Sequence, residues 1–342
     1  MNKKILAVAV AAFVAAPAIA AADTTLYGQL NFEVMSWDGD ANTGSFASRI
    51  GVKGSEDLGG GLTGLWQIEG NVSLTNGGSD WNRNTFIGLD GGFGTAIVGR
   101  YDHPYKLASL PFRNFGDTMV DSTMGSGVNS VNVNVSDRPI LNPQIVTVTQ
   151  PQSFRALSFL RSSGVVAYVS PNLSGFQVSA ATVPFHDGAE DKNRFPYSLA
   201  ATYRQGPLYA TVAYEDMQHV AGYDSWLLGA TYKLGDFTFG AMYENWEAKG
   251  DSLAADNDLT VNRILVPLTY NLSSSVMLRA AVQYDKAELD GDSENFLDYA
   301  LGAQYKFSNR TEVYANVVSR SNLVELEDND TWDFGVGLRH RF

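Results

Sequence analysis

The sequence predicts a closed all-β fold, a sixteen-stranded antiparallel barrel built to cross a membrane. Three features carry that prediction. Side-chain character alternates with period two along most of the chain, connections between the alternating segments switch between short and long, and aromatic residues gather near the segment ends.

The alternation fixes the local structure. Within residues 26–34, Leu26, Leu30, Phe32 and Val34 fall on one face, and Tyr27, Gln29, Asn31 and Glu33 on the other. Phe237, Phe239, Ala241 and Tyr243 alternate with Thr238, Gly240, Met242 and Glu244. Leu297, Tyr299, Leu301, Ala303, Tyr305 and Phe307 alternate with Asp298, Ala300, Gly302, Gln304 and Lys306. Successive side chains of a strand point to opposite faces, so each segment has one apolar face and one that carries charge.

The connections set the strand number. Short turns are read at 57–61, 90–94, 171–175, 205–207, 234–236, 271–275 and 308–310, and longer polar loops near 35–45, 72–81, 102–156, 184–196, 217–222, 248–259, 286–295 and 321–331. Seven turns and eight loops imply sixteen strands of about 9–11 residues, the length a tilted strand needs to cross hydrocarbon. Backbone groups find no water there, so such a sheet has to close. Gly59-Gly60-Gly61 and Gly91-Gly92 are read as turn glycines supplying positive φ rather than as phosphate cradles.

The aromatics mark the two interfaces. Tyr168, Tyr203, Tyr232, Tyr270 and Tyr305 each precede a short turn by a few residues, while Tyr214, Trp226, Tyr243, Tyr284 and Trp332 lie near the loop ends. Their amphipathic rings suit girdles at the two membrane surfaces.

The N-terminus sets the compartment. Lys3 and Lys4, the apolar run 5–16, Pro17 and the small residues Ala18-Ile19-Ala20 form the pattern of a secretory signal peptide. Cleavage is expected after Ala20, or up to two residues later, leaving residues 21–342 as the barrel. The apolar run is shorter than the roughly 20 residues a spanning helix needs. The whole chain carries 24 basic and 37 acidic residues, a net charge of −13, which becomes −15 without Lys3 and Lys4. That balance disfavours nucleic-acid binding. With no cysteine in the chain, thiolate metal sites and thiol catalysis are excluded.

Four motifs carry a family resemblance. Residues 48–59 (Ser-Arg-Ile-Gly-Val-Lys-Gly-Ser-Glu-Asp-Leu-Gly) with 65–69 (Leu-Trp-Gln-Ile-Glu) form the first; residues 83–95 with Val98-Gly99-Arg100 form the second. Leu26-Tyr27-Gly28 and the C-terminal Gly337-Leu338-Arg339-His340-Arg341-Phe342 complete the set. In this order they resemble the neisserial and betaproteobacterial branch of the Gram-negative general diffusion porins, over the whole chain after the signal. The resemblance implies a homotrimeric outer-membrane pore for passive diffusion of ions and small hydrophilic solutes, set among lipopolysaccharide and needing no cofactor. It also implies that the terminal Phe342, ending the apolar stripe Trp332, Phe334, Val336 and Leu338, is the assembly signal read by the outer-membrane insertion machinery. The family often has Tyr two residues before the end; here it is His340.

A sixteen-stranded barrel is too wide for side chains to fill, so its lumen holds water. The third loop, roughly 102–152, is far longer than a hairpin needs. The resemblance implies that it folds into the lumen as the constriction. Residues 110–118 (Leu-Pro-Phe-Arg-Asn-Phe-Gly-Asp-Thr) resemble the eyelet segment of enterobacterial porins, with Arg113-Asn114 where those carry an acid. Arg49, Arg83 and Arg161 are expected to form the basic half of the constriction, with Arg113 as a further member. Asp117, Asp121 and the wall residue Glu69 form the acidic half. Opposed charges create a transverse field that orients dipolar solutes, and this balance suggests a weak anion preference.

Two further expectations concern the surface and rival functions. Small or polar residues read on the outward faces of the first strands, Gly28, Ser48, Gly64, Asn84 and Gly88, suit contacts between subunits. A substrate-specific channel would need an aromatic series such as Tyr27, Tyr101, Tyr105 and Trp246. An outer-membrane hydrolase would need a pair such as Ser319 and His340 within reach of one another. His103, His186, His219 and His340 have no metal-binding spacing, and no metal site is expected.

Overall fold

A computed structural model describes residues 23–37, 39–123, 161–184, 195–218, 223–248, 258–289, 292–320 and 331–342. The signal-peptide pattern lies outside the described residues. The strands are β1 (Asp23–Trp37), β2 (Asp40–Gly44), β3 (Arg49–Gly59), β4 (Leu62–Val72), β5 (Ser79–Asp80), β6 (Thr85–Gly91), β7 (Gly94–Asp102), β8 (Arg161–Val169) and β9 (Phe176–Thr182). They continue as β10 (Tyr197–Gln205), β11 (Leu208–Asp216), β12 (Tyr223–Leu234), β13 (Phe237–Ala248), β14 (Leu259–Asn271), β15 (Val276–Leu289), β16 (Asp292–Lys306), β17 (Thr311–Arg320) and β18 (Thr331–Arg341).

Neighbouring strands of the sheet pair antiparallel, and β18 returns to pair with β1 from Gln29↔Arg341 to Ser36↔Phe334. The barrel is therefore closed. Its strand number is sixteen, because two pieces are extensions. β2 and β3 lie end to end along β1, and β5 and β6 lie end to end along β4. Closure leaves no unpaired sheet edge, which is the requirement hydrocarbon imposes.

All seven short turns fall between the strands where the sequence placed them. At the tightest, Gly59, Gly60 and Gly61 have φ of 82°, 64° and 77°, a left-handed run that a side chain would strain. Two of the expected loops are mostly strand. β1 runs to Trp37 and β2 begins at Asp40, inside the 35–45 stretch, and Leu289 pairs with Asp292 inside 286–295. Polar composition hid these ends. Beyond the hydrocarbon a paired strand needs no apolar face, so alternation stops before the ladder does.

The two faces differ as the alternation requires. Leu26, Leu30 and Val34 are exposed on the outside of β1, while Gln29, Asn31 and Glu33 are buried on the inside. Phe237 and Phe239 point out, Met242 and Glu244 in. The girdle aromatics stand on the outer face and touch one another, with Trp226–Tyr243 ring centroids 5.0 Å apart and Phe237–Tyr270 4.4 Å.

Three of the five small or polar residues read as outward turn inward. Ile87 and Leu89 are exposed outside, so Gly88 between them faces in. The Ser48 hydroxyl accepts from the Asn31 backbone N–H at 2.8 Å, and the Asn84 side chain donates to Asp102 at 3.1 Å. Both lie at strand breaks, where strict alternation fails. Gly28 and Gly64 do share the outer face with Leu26 and Ile68.

Following β7, α1 (Pro104–Ser109), a 3-10 turn (Leu110–Phe112) and α2 (Met119–Thr123) run along the inner face of the wall. Proline at the start of α1 and of the 3-10 turn suits helix N-termini, where its missing N–H costs nothing. Tyr105, Phe112, Phe115, Met119 and Val120 pack on inward residues of β10 to β17, including Ala213, Leu227, Met242, Leu265 and Val318. Without that cover these apolar positions would face the lumen, at about 25 cal/mol per Å² of apolar surface. The rest of the long connection, 124–160, lies outside the described residues.

Candidate functional site

Small residues on the wall make seats for the segment. A Cβ on Gly229 would lie 2.5 Å from the Phe112 ring, one on Gly302 2.8 Å from Phe115, and one on Gly335 2.7 Å from the Met119 sulfur. Polar contacts then fix its height. The Tyr105 hydroxyl donates to Glu244 at 2.7 Å, and Asn114 donates to the Leu268 and Ala280 carbonyls at 3.0 and 2.8 Å. The Met119 N–H donates to Glu33 at 3.0 Å. Arg279 donates to the Asn114 carbonyl at 3.2 Å, and Arg339 to the Gly116 and Asp117 carbonyls at 2.9 and 2.8 Å. Contacts from β1, β13, β14, β15 and β18 therefore hold one short stretch of chain.

Between this segment and the wall formed by β1, β3 to β8 and β15 to β18 lies a cavity of about 1130 Å³. Arg49, Arg83, Arg161, Arg113, Asp117, Asp121 and Glu69 all line it. Their charges are not separated into two facing rows. Arg49 lies 3.6 Å from Asp117 of the segment, yet Arg83 pairs with Glu69 on its own wall at 2.5 Å. Arg161 pairs with Asp102 at 2.9 Å, where Lys106 also binds at 2.6 Å. Arg113 chelates Asp121 through two guanidinium nitrogens, both partners belonging to the segment.

Asp117 sits at φ 60°, the left-handed region, where Asp is better tolerated than most residues because its short side chain bonds locally. Its carboxylate accepts from Gln29 at 3.0 Å and its backbone N–H donates to Asp121 at 2.9 Å. Burial works to raise the Asp117 carboxyl, but Arg49, the Gln29 hydrogen bond, Arg339 and Arg113 outweigh it and hold it below the usual carboxylate range. Burial likewise opposes the charge on Arg113, and Asp121 reverses that effect.

Several lining residues were not singled out from the sequence: Lys53, Lys106, Arg279, Lys306, Arg339 and Arg341, with Asp102 and Glu312. A signal existed for most of them. With Phe334, Val336 and Leu338 outside, Arg339 and Arg341 must point in, and Tyr305 and Phe307 place Lys306 inward by the same alternation. The lining carries ten basic residues against five acidic ones, the reverse of the chain's 24 against 37.

The residues of the rival functions are dispersed. Among the four candidate aromatics only Tyr27 lines the cavity; Tyr105 and Trp246 are buried and Tyr101 packs edge-on to Phe86. Ser319 is buried on the outer face between its cross-strand partners Trp332 and Tyr299, while His340 pairs with Thr311 nearer the short turns and bonds its hydroxyl oxygen at 2.8 Å.

A closed barrel, apolar outside and lined with charge around a wet interior, defines a channel-forming transmembrane β-barrel. The family profile described as Gram-negative porin matches residues 7–323, and the chain belongs to that family. The major outer membrane protein P.IB of Neisseria meningitidis serogroup B is 29% identical over 366 residues, covering 100% of both chains. Among solved structures, the anion-selective porin from Comamonas acidovorans superposes with a TM-score of 0.70 at 20% identity, covering 94% of this chain and 100% of that one. The trimer form of OmpT from Vibrio cholerae gives 0.68 at 19% identity, with 94% and 100% covered. The protein is thus an outer-membrane porin.

Proposed function

We propose that the pore is narrowed between residues 103–123 and the β3–β8 wall, and that it passes small hydrophilic solutes with a weak preference for anions. The observation that carries the preference is the lining itself, ten basic residues against five acidic. Selectivity is decided where ions are closest to the wall. Carboxylates of the outer loops act at a distance and are screened over a Debye length of about 8 Å at physiological salt. The shared fold with an anion-selective porin points the same way. In this reading Arg49, Arg83, Arg161 and Arg113, with Asp117, Asp121 and Glu69, shape the narrow zone.

The same reading includes export by a signal peptide cleaved between Ala20 and Ala22, insertion directed by Phe342, and assembly as a homotrimer among lipopolysaccharide. Gly64 on the outer face suits close subunit packing, and one structural neighbour is described as a trimer. Planar-bilayer recording tests the core of the proposal. Purified protein inserts in conductance steps, and its reversal potential across a KCl gradient has the sign of an anion-preferring pore. A clear cation preference rejects it.

A further inference from the structure

Nine of the ten basic residues of the cavity fall into two groups that differ in charge balance; the tenth, Arg279, is buried and bonds the Asn114 carbonyl and the Asn316 side chain. Arg49, Arg83, Arg161, Lys106 and Arg113 each have a carboxylate within ion-pair distance. Toward the short-turn end the balance is lost. Lys53 lies four residues beyond Arg49 on the same inward face of β3, and its cross-strand neighbours are the neutral Thr25 and Gln67. Its ammonium sits 5.2 Å from the centre of the Tyr27 ring. Lys306, the last residue of β16, faces Glu312 across the ladder. The Glu312 oxygens, however, accept from Arg339 at 3.1 Å, from Arg341 at 3.2 and 3.3 Å, and from Gln304 at 2.9 Å. Three basic residues thus gather around one carboxylate. Neither Lys53 nor Lys306 forms an ion pair among the described residues, and both are exposed.

A closed ion pair and an unbalanced ammonium act differently on a passing ion. The pair is a dipole, whose potential falls faster with distance than that of a single charge. The lone ammonium keeps its full charge, and low-dielectric barrel walls focus its field along the lumen. Arg341, 42% exposed and sharing Glu312, adds to the surplus.

We infer that Lys53 and Lys306, with Arg341 beside them, are the residues that set the anion preference. They form an electrostatic funnel for small anions, inorganic or carboxylate, at the short-turn mouth of the pore. The paired arginines set its width. A lysine ammonium is a compact, strongly hydrated charge without the fork that holds carboxylates bidentately. It therefore raises local anion concentration without trapping the ion, which conduction requires. This inference rests on the anion preference proposed above.

Three proteins separate the two roles in planar bilayers: wild type, K53Q/K306Q, and R49Q/D117N, which removes a pair at no change in net charge. In dilute KCl near 0.1 M, K53Q/K306Q lowers the anion-to-cation permeability ratio about threefold to tenfold, and near 1 M, where the Debye length is about 3 Å, the difference largely disappears. Each single lysine variant gives part of the shift, and K53R/K306R restores the wild-type ratio. R49Q/D117N changes conductance and moves the ratio less than the lysine pair does. The inference is overturned if K53Q/K306Q keeps the wild-type ratio, or if R49Q/D117N moves it as far. A cation-preferring wild type instead overturns the proposed function, so the two failures are distinguishable.

Discussion

Gly28 and Phe342 lock the first strand to the end of the chain. Each backbone N–H donates to the other's carbonyl, at 3.0 and 3.1 Å, and a Cβ on Gly28 would stand 2.3 Å from the Phe342 ring. The absence of a side chain at position 28 lets the Phe342 ring pack against the backbone where the barrel closes. The arrangement ties the closing contact of the barrel to Phe342.

Two substitutions test that contact. Phe342→Asp is expected to cut outer-membrane yield about tenfold or more, because it sets a charge on the lipid-facing stripe as well as removing the ring. Gly28→Val keeps Phe342 but fills its seat, and is expected to lower heat resistance of the folded barrel on semi-native gels. Normal yield of Phe342→Asp would reject the assembly role.

A second prediction concerns the seat of the pore segment. Gly229→Val pushes a side chain into the Phe112 ring, and overpacking of this kind costs roughly 1–3 kcal/mol. The strain falls on the segment rather than on the ladder, so the barrel still forms. Single-channel traces are expected to show added open-channel noise and altered conductance. Traces indistinguishable from wild type would show that Phe112 does not hold the segment in place.

Acid tests the Asp117 tether. Its carboxyl is held below the ordinary value of about 4. The ionised form therefore contributes its full stabilisation above that value, and loses it only as pH falls through the lower, folded-state value. Conductance noise is expected to stay constant from neutral pH down to about 4 and to rise below it. Asp117→Asn is expected to show that noise already at neutral pH. A transition centred near neutrality would assign the acid response to another group.

Arg263 is a buried charge of the wall, held between two carboxylates. It is 1% exposed, bonds Asp285 through two nitrogens at 2.8 and 3.0 Å, and reaches Glu244 at 3.3 Å. Removing one member of a buried ion pair costs about 3–5 kcal/mol, because the remaining charges keep their desolvation penalty. Arg263→Met is expected to lower the urea midpoint of unfolding in detergent accordingly. Adding E244Q and D285N to that variant recovers most of the loss. Equal stability of Arg263→Met and wild type would mean that water reaches these carboxylates.

The barrel was legible in the sequence because a strand's side-chain period is two whatever it pairs with. From residues 26–34 or 297–307 alone, the lipid face and the lumen face follow, and the turn spacing gives sixteen strands. The same rule could have found Arg339, Arg341 and Lys306, since each takes the inward position in an alternation set by outward apolar residues. It failed at Ser48, Asn84 and the ends near Trp37 and Leu289. There the strand breaks, or continues outside the membrane where no apolar face is required.

Pairing among the lumen charges was decided only by the closed structure. Arg83 and Glu69 are neighbours because β4 and the start of β6 lie together, Arg49 meets Asp117 because the segment after β7 crosses toward β1, and Glu312 is taken by Arg339 and Arg341 instead of by Lys306 opposite it. Alternation says which way a side chain points. Which charge it meets there depends on distances between residues far apart in the chain, and those exist only once the barrel has closed around its inner segment.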